Sequence, residues 1–312
     1  MTSFERREGR YKRRKKKRED KVLEESNYYA DVNRVFCFSK VMVYAYKCCK
    51  GIGYKKSTQN FKIHMFTNIA TTCRKIKTNT YQVGNTYHFQ INERGKIRDI
   101  DAPHIMDRLV HKTLANEVLI PLYTHHMVYD NGACVKGKGF IFCLERVKEK
   151  LRKYYRKYGL NGYVVTIDFS KFFQNISHEI IHDMHKKYIK NDGLIKVIED
   201  YLFIGEGLAL GVEMAQREAC LFPNLLDHFL ENNGCRVERY MDDTFFLCRN
   251  YKDAISFLEK YYSLANRLGI KINQKKTKII PISHSFLFCK WKFFIDKKGK
   301  IKMIPEKSTI YR

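Results

Sequence analysis

The chain of 312 residues is 44% hydrophobic and carries 59 lysines and arginines against 33 acids, a formal net charge of +26. That apolar content excludes a disordered chain, and the length allows two or three subdomains around a sizeable core. The charge excess runs along the whole length and points to a polyanionic partner, nucleic acid first and an anionic membrane surface second.

No apolar run approaches the roughly 18 residues of a membrane span, and the amino-terminus lacks an apolar signal core, so a cytoplasmic location is expected. Ten cysteines are scattered with no Cys-x-x-Cys pair, which favours reduced, mostly buried thiols over disulfides or structural zinc. Residues 5–21 are almost entirely charged, with Arg10 to Arg18 nearly all basic. They read as a solvated arm, disordered or helical only on a partner, that either binds phosphates or solubilises the chain. Val22 to about Thr80 is helical in tendency. Tyr81 to Ile100 alternates polar and apolar residues around a turn at 93–96, the pattern of a hairpin. Residues 103–127 place Leu109, Val110, Leu114, Val118 and Leu119 at helical spacing, which predicts one or two amphipathic helices. A basic helix is expected over Lys148 to Lys157, ending at Gly159.

Residues 162–169 form a continuous apolar run interrupted only by its terminal acid, Asp168, as in a strand buried on both faces. A helix through about Lys190 follows, then a second over 192–204 and a glycine-bracketed loop from Gly205 to Gly211. A longer helix is expected from about Met214 to Leu230. Over 237–248, Asp242 and Asp243 sit between apolar, strand-forming neighbours, which reads as strand, tight turn and returning strand. Such a turn either presents two hard oxygen ligands, as magnesium requires, or is a polar turn of the kind aspartate favours. Residues 251–268 are helical in pattern, Lys271 to Ile282 reads as another strand, and a final hairpin over 286–304 turns at Asp296 to Gly299. His178, His182 and His185 fall on one helix face and mimic a metal cluster, but no fourth ligand is evident and surface histidines are common.

A carboxylate that closes a fully apolar strand has to be paired or metal-bound. Asp168 is such a group. With Asp242 and Asp243 on a neighbouring strand end, it would complete a site for two magnesium ions about 3.5–4 Å apart. One ion would activate a 3′-hydroxyl and the other would stabilise the leaving pyrophosphate. Acids at strand ends and a strongly basic surface together favour a polymerase site over a hydrolytic one.

Val164-Val-Thr-Ile-Asp-Phe-Ser-Lys-Phe-Phe-Gln-Asn-Ile-Ser-His178 and Tyr240-Met-Asp-Asp243 resemble motifs A and C of a reverse transcriptase. Lys96-Ile-Arg98 and Asp107-Arg-Leu-Val-His111 resemble the fingers motifs, Gly269 to Thr277 resembles motif D, and Phe286, Leu287 and Trp291 resemble the primer grip. The resemblance runs in order over residues 30–305. Gly211 and Gln216 match the motif B of diversity-generating retroelement enzymes, and Cys134 to Gly139 resembles the basic, glycine-rich element typical of that group. Ala215 departs from it where serine is usual, and Phe288 departs from motif E where glycine is usual.

The resemblance implies an α+β right-hand polymerase with a small antiparallel palm sheet backed by helices and a minimal or missing thumb. Its parts would be a basic arm at 1–21, fingers with part of the palm at 22–160, the palm at 161–285, and the primer-grip hairpin with the start of a thumb at 286–312. It implies that Asp168, Asp242 and Asp243 are catalytic and bind two Mg²⁺ ions, with the carbonyl of Phe169 as a further ligand. Phe173 would be the steric gate against a ribose 2′-hydroxyl. Lys96 and Arg98 would hold the incoming triphosphate, Gln216 would lie against a base, and Lys276 would protonate pyrophosphate. The implied partners are an RNA template, a DNA or RNA primer with its cDNA product, deoxynucleoside triphosphates and a small basic accessory protein. The expected role is low-fidelity retroelement cDNA synthesis, with a phage-defence reverse transcriptase or an inactive RNA-binding relative as rivals.

Overall fold

The computed structural model describes residues 3–93 and 95–306. In chain order, the helices α1 (Ser3–Tyr29), α2 (Val32–Val35), α3 (Phe38–Cys49), α4 (Lys56–Ile63) and α5 (Met65–Lys77) come first. The hairpin β1 (Thr86–Glu93) and β2 (Lys96–Pro103) follows, then α6 (Ile105–Leu114), a π-helical turn at Ala115–Leu119 and α7 (Ile120–Thr124). The long α8 (Phe140–Tyr158) leads into β3 (Tyr163–Asp168), α9 (His178–Tyr188), α10 (Asp192–Leu202), α11 (Glu213–Leu221) and α12 (Asn224–Asn232). The chain continues through β4 (Glu238–Tyr240), β5 (Asp243–Cys248), α13 (Tyr251–Arg267), β6 (Lys278–Pro281), β7 (Phe286–Phe288), β8 (Trp291–Ile295) and β9 (Ile301–Pro305). This is the expected mix of helices with small antiparallel sheets.

Two compact units divide these elements: Met1–His125 with His178–Arg217, and His126–Ser177 with Glu218–Arg312. In the first, α3 packs on α5 and α6, and Asp107 lies buried beneath two phenols. Tyr201 donates to Asp107 Oδ1 at 2.7 Å and Tyr81 donates to the same oxygen. Burial pushes the neighbouring His111 imidazole down to about 3, so it is neutral against the Tyr201 ring. Glu117, on the π-helical turn, gathers Arg34, Lys40 and Tyr44 at 3.2, 2.9 and 2.7 Å.

In the second unit, four antiparallel strands run in the order β4-β5-β3-β6, and a separate three-stranded sheet runs β7-β8-β9. Val164, Val165 and Ile167 are fully buried, as the apolar run requires. Phe245 on β5 stacks on Phe286 of β7 at 5.5 Å between ring centres, and Phe286 stacks in turn on Phe293 of β8. Cys143, Leu144, Val147 and Leu151 of α8 close this core from one side.

Several expectations are corrected. The basic arm is helical as far as Tyr29. The basic helix expected from Lys148 begins at Phe140, because Gly139, rather than the charge run, marks its start. The single helix expected over 214–230 is two, α11 and α12. Pro223 has no N–H to continue the ladder and stands as the N-cap of the second. The strand expected from Lys271 shrinks to β6, since Asn273 to Lys276 form a turn with Lys276 N–H donating to the Asn273 carbonyl. The final hairpin has a third strand, β7, joined to β8 through Cys289 and Lys290. Both residues take positive φ, 50° and 62°, as a tight I′ turn demands. The turn expected at Asp296 to Gly299 is present, with Gly299 N–H donating to the Asp296 carbonyl. No helix among the described residues is long and apolar enough to cross a membrane.

Candidate active site

The β3–β5 register sets Asp168 directly opposite Asp243, and the β4–β5 register sets Tyr240 opposite Asp243. Only Met241 and Asp242 remain for the loop. Met241 takes φ 55°, a left-handed conformation that is uncommon for a residue with a Cβ but matches the strand twist at a two-residue hairpin turn. Phe169 N–H donates to the Asp242 carbonyl at 3.3 Å, so β3 is tied to the turn itself. Three carboxylates thereby gather at one end of a buried sheet.

Burial first, and then the charges of Asp242 and Asp168, push the Asp243 carboxyl up to about 7 although part of the residue remains accessible. Lys276 opposes that shift. Its Nζ lies 2.8 Å from Asp168 Oδ1, and the ion pair holds the ammonium above its ordinary range. Asn273 donates its amide to Asp168 Oδ2 at 3.1 Å. Among the described residues no three His, Cys, Asp or Glu side chains are arranged to enclose a metal ion. The donor set nevertheless fits magnesium: hard carboxylate oxygens, mutually repelling, with a lysine supplying the missing positive charge at Asp168. The three histidines do not form a metal site here. His178 stacks on Phe203, while His182 and His185 both turn to Glu199 at 2.9 and 2.7 Å.

The other expected site residues are placed as follows. Phe173, half-buried in the turn Phe173–Asn175, packs edge-on against buried Phe172. Phe286 belongs to the aromatic core, Leu287 is exposed beside it, and Trp291 pairs with Phe288 across β7 and β8. Arg98 is exposed on β2 in the first unit, and the side chain of Lys96 lies outside the described residues. Gln216 is exposed on α11, next to fully buried Ala215. A hydroxyl at Ala215 would have to find a partner, which gives the alanine a packing rationale. Gly211 has φ 106°, and a Cβ there would stand 2.8 Å from the Asp101 carbonyl oxygen. The close approach joins this loop to β2, since Asp101 N–H donates to the Leu210 carbonyl at 2.8 Å.

Sequence reasoning missed the first two residues of β4, Glu238 and Arg239. Successive side chains of a strand face opposite ways, so Glu238 and Arg239 enter the core on the two sides of β4, both with no exposed surface. Arg239 meets the equally buried Asp227 of α12 with a two-pronged ion pair, 2.8 Å from Nε and 2.7 Å from Nη2. Its Nη1 donates to the Met241 carbonyl at 3.0 Å and Nη2 to the Cys220 carbonyl at 2.7 Å. The left-handed residue is therefore held by a guanidinium that is itself fixed by a carboxylate. On the opposite side Glu238 meets Lys150 of α8, which also reaches Asp130 at 2.9 Å. Burial outweighs that ammonium and pushes the Glu238 carboxyl up to about 7. The available signal was a Glu-Arg pair inside a stretch that otherwise reads as core, where each charge needs a partner.

Residues 90–293 match the family described as "Reverse transcriptase (RNA-dependent DNA polymerase)". No curated protein resembles the chain significantly in sequence. Among solved structures, telomerase from Candida albicans, in complex with a fragment of telomeric RNA, superposes with a TM-score of 0.55 at 10% identity over 80% of this chain and 50% of that one. A telomerase from Candida tropicalis truncated from its C-terminal domain gives 0.54 at 12% identity, over 78% of this chain and 60% of that one. At that identity the likeness is one of fold, and this chain spans half to three-fifths of those proteins.

Proposed function

Because the chain belongs to the reverse transcriptase (RNA-dependent DNA polymerase) family, we propose that it copies an RNA template by adding deoxynucleotides to a primer 3′-end. The observation that carries this reading is the gathering of Asp168, Asp242 and Asp243 at one sheet end, where their charges oppose one another and call for a cation. These carboxylates, with the Phe169 carbonyl, would hold two Mg²⁺ ions. When bound, the ions supply the positive charge that activates the primer hydroxyl and accepts the departing pyrophosphate. Lys276, now on Asp168, is the proton donor to that pyrophosphate. Phe173 excludes the 2′-hydroxyl, Lys96 and Arg98 neutralise the triphosphate, and Gln216 lies against the pairing base.

Exposed Leu287, with Phe286 and Trp291 of the same sheet, contacts the primer end. Residues 22–160 act as fingers with part of the palm, 161–285 as palm, and 286–312 as primer grip and start of a thumb. The glycine at 211 and glutamine at 216 favour a retroelement enzyme of low fidelity, working with a small basic accessory protein.

The test is extension of a DNA primer on an RNA template by the full chain with deoxynucleotides and magnesium. Extension that is lost on chelation and restored by magnesium supports the reading, and its absence across template sequences refutes it. Phe173→Ala should raise ribonucleotide incorporation by about 10- to 200-fold, the range that small steric differences in a pocket command. Unchanged sugar selectivity, measured as the ratio of kcat/KM values for the two nucleotide types, would remove Phe173 from that role.

A further inference from the structure

Helix α1 has an unusual relation to the rest of its unit. Every side chain from Arg10 to Lys21 is exposed, so the helix turns through more than three turns without burying any face. Between residues 6 and 21 it carries eleven lysines and arginines against three acids. Its root is fixed: Ser26 is buried and accepts the Lys190 N–H at 2.7 Å, and Asn191 donates to the Ala30 carbonyl at 3.2 Å. Lys12 pairs with Glu8 and Lys15 lies near Glu19, each one turn apart. Arg10 with Arg14, Arg13 with Lys17, and Arg14 with Arg18 are like charges at the same spacing and oppose the helix. A stretch of helix that buries nothing and repels itself lacks the tertiary support that ordinarily stabilises helices.

We infer that α1 is a docking arm for the phosphate backbone of a nucleic-acid duplex, distinct from the carboxylates of the catalytic turn. Three features select this ligand. Basic residues occupy the whole circumference, which suits a groove with a phosphate row on each wall rather than a flat surface. A membrane-surface helix needs an apolar face, and Tyr11 is the one large apolar residue between 6 and 21. Single strands are gripped by stacking on aromatic rings, and the same scarcity argues against them. At about 1.5 Å per residue, residues 6–21 reach about 24 Å, long enough to follow several consecutive phosphates. Binding replaces the internal repulsion of α1 with attraction and releases counterions from the duplex.

The experiment uses the full chain with Arg13, Arg14, Lys15, Lys16, Lys17 and Arg18 all changed to glutamine, beside a control with Arg13→Lys, Arg14→Lys and Arg18→Lys. The probe is a fully paired RNA hairpin, its affinity read by fluorescence anisotropy across a potassium chloride series. The glutamine variant should bind the hairpin at least about 100-fold more weakly at low salt. Its log–log salt slope should be shallower by about 3 to 5, at about 0.9 per lost phosphate contact. The lysine control should match the wild type.

Affinity for an unstructured oligouridine should change less than about threefold, because α1 offers so little to stack upon. Equal losses for hairpin and single strand would overturn the duplex assignment, and an unchanged hairpin affinity would overturn the arm altogether. Binding to phosphatidylserine vesicles that depends on the six residues while hairpin binding does not would assign α1 to a membrane instead. Primer extension at saturating primer–template should persist in the glutamine variant. A chain that binds the hairpin through α1 but extends nothing would refute the polymerase reading and leave the arm standing.

Discussion

Asp242→Asn should lower the rate of primer extension by about three orders of magnitude or more, while RNA affinity changes less than about threefold. A bound metal contributes several kcal/mol of charge stabilisation, and each 1.36 kcal/mol is about a factor of ten in rate. The substitution keeps the size of the side chain and leaves the Phe169 N–H bond to the backbone of residue 242 in place. Single-turnover extension checks the rate, and wild-type extension by the variant would remove Asp242 from catalysis.

The same substitution should raise the thermal stability of the metal-free protein, a result opposite in sign to its effect on activity. Asp243 sits near pH 7 in the fold against an ordinary value of 3.8, partly because Asp242 repels it. A carboxyl raised in this way makes the fold hold its proton more tightly than the unfolded chain does. Stability from this group is therefore present at acid pH and lost as the pH rises toward and past 7. Removing one repelling charge should help most near pH 8 and hardly at all near pH 5, as melting curves in the presence of a chelator would show.

Asp227→Ala should cost the fold about 3–5 kcal/mol, because it leaves the Arg239 guanidinium buried without a counter-charge. Extension should fall with it, but that fall alone would not separate positioning from unfolding. The double substitution Asp227→Leu with Arg239→Met does separate them. Well-packed apolar pairs commonly replace a buried ion pair at little cost or with a gain, so denaturant unfolding should return close to the wild type. No donor then remains for the Met241 carbonyl, and kcat should stay at least about tenfold down with KM for the template unchanged, a loss of the size seen when a residue that orients a metal-holding group is removed. A double variant that is both stable and fully active would show that the turn keeps its shape without the guanidinium.

Much of this site was legible because its signals are local. An acid ending an apolar strand and two adjacent acids at a hairpin turn are statements about neighbouring residues, and the register of β3, β5 and β4 realised both. Helix α13 was legible for the same reason, with Asn250 accepting the Asp253 N–H at its start. The partners of Arg239 and Glu238 were not legible, since Asp227 and Lys150 come from separate helices and no periodicity ties them to the turn. The division at Pro223 was overlooked because the apolar spacing continues on both sides of it. The state of α1 was misjudged because composition alone describes a solvated run of charge equally well as coil or helix.

The antiparallel register through Asp168 and Asp243 also governs how a chain of this kind can change its length. Side chains alternate along a strand, so one residue inserted within Tyr163–Asp168 or Asp243–Cys248 would turn every residue beyond it to the opposite face. The carboxylate would then point away from its fellows while the core gained a polar group. Lineages of such sheets can lengthen only between their strands, and even there the two-residue loop at Met241 and Asp242 leaves no slack. Growth is left to segments outside this sheet, where added residues leave its register unchanged.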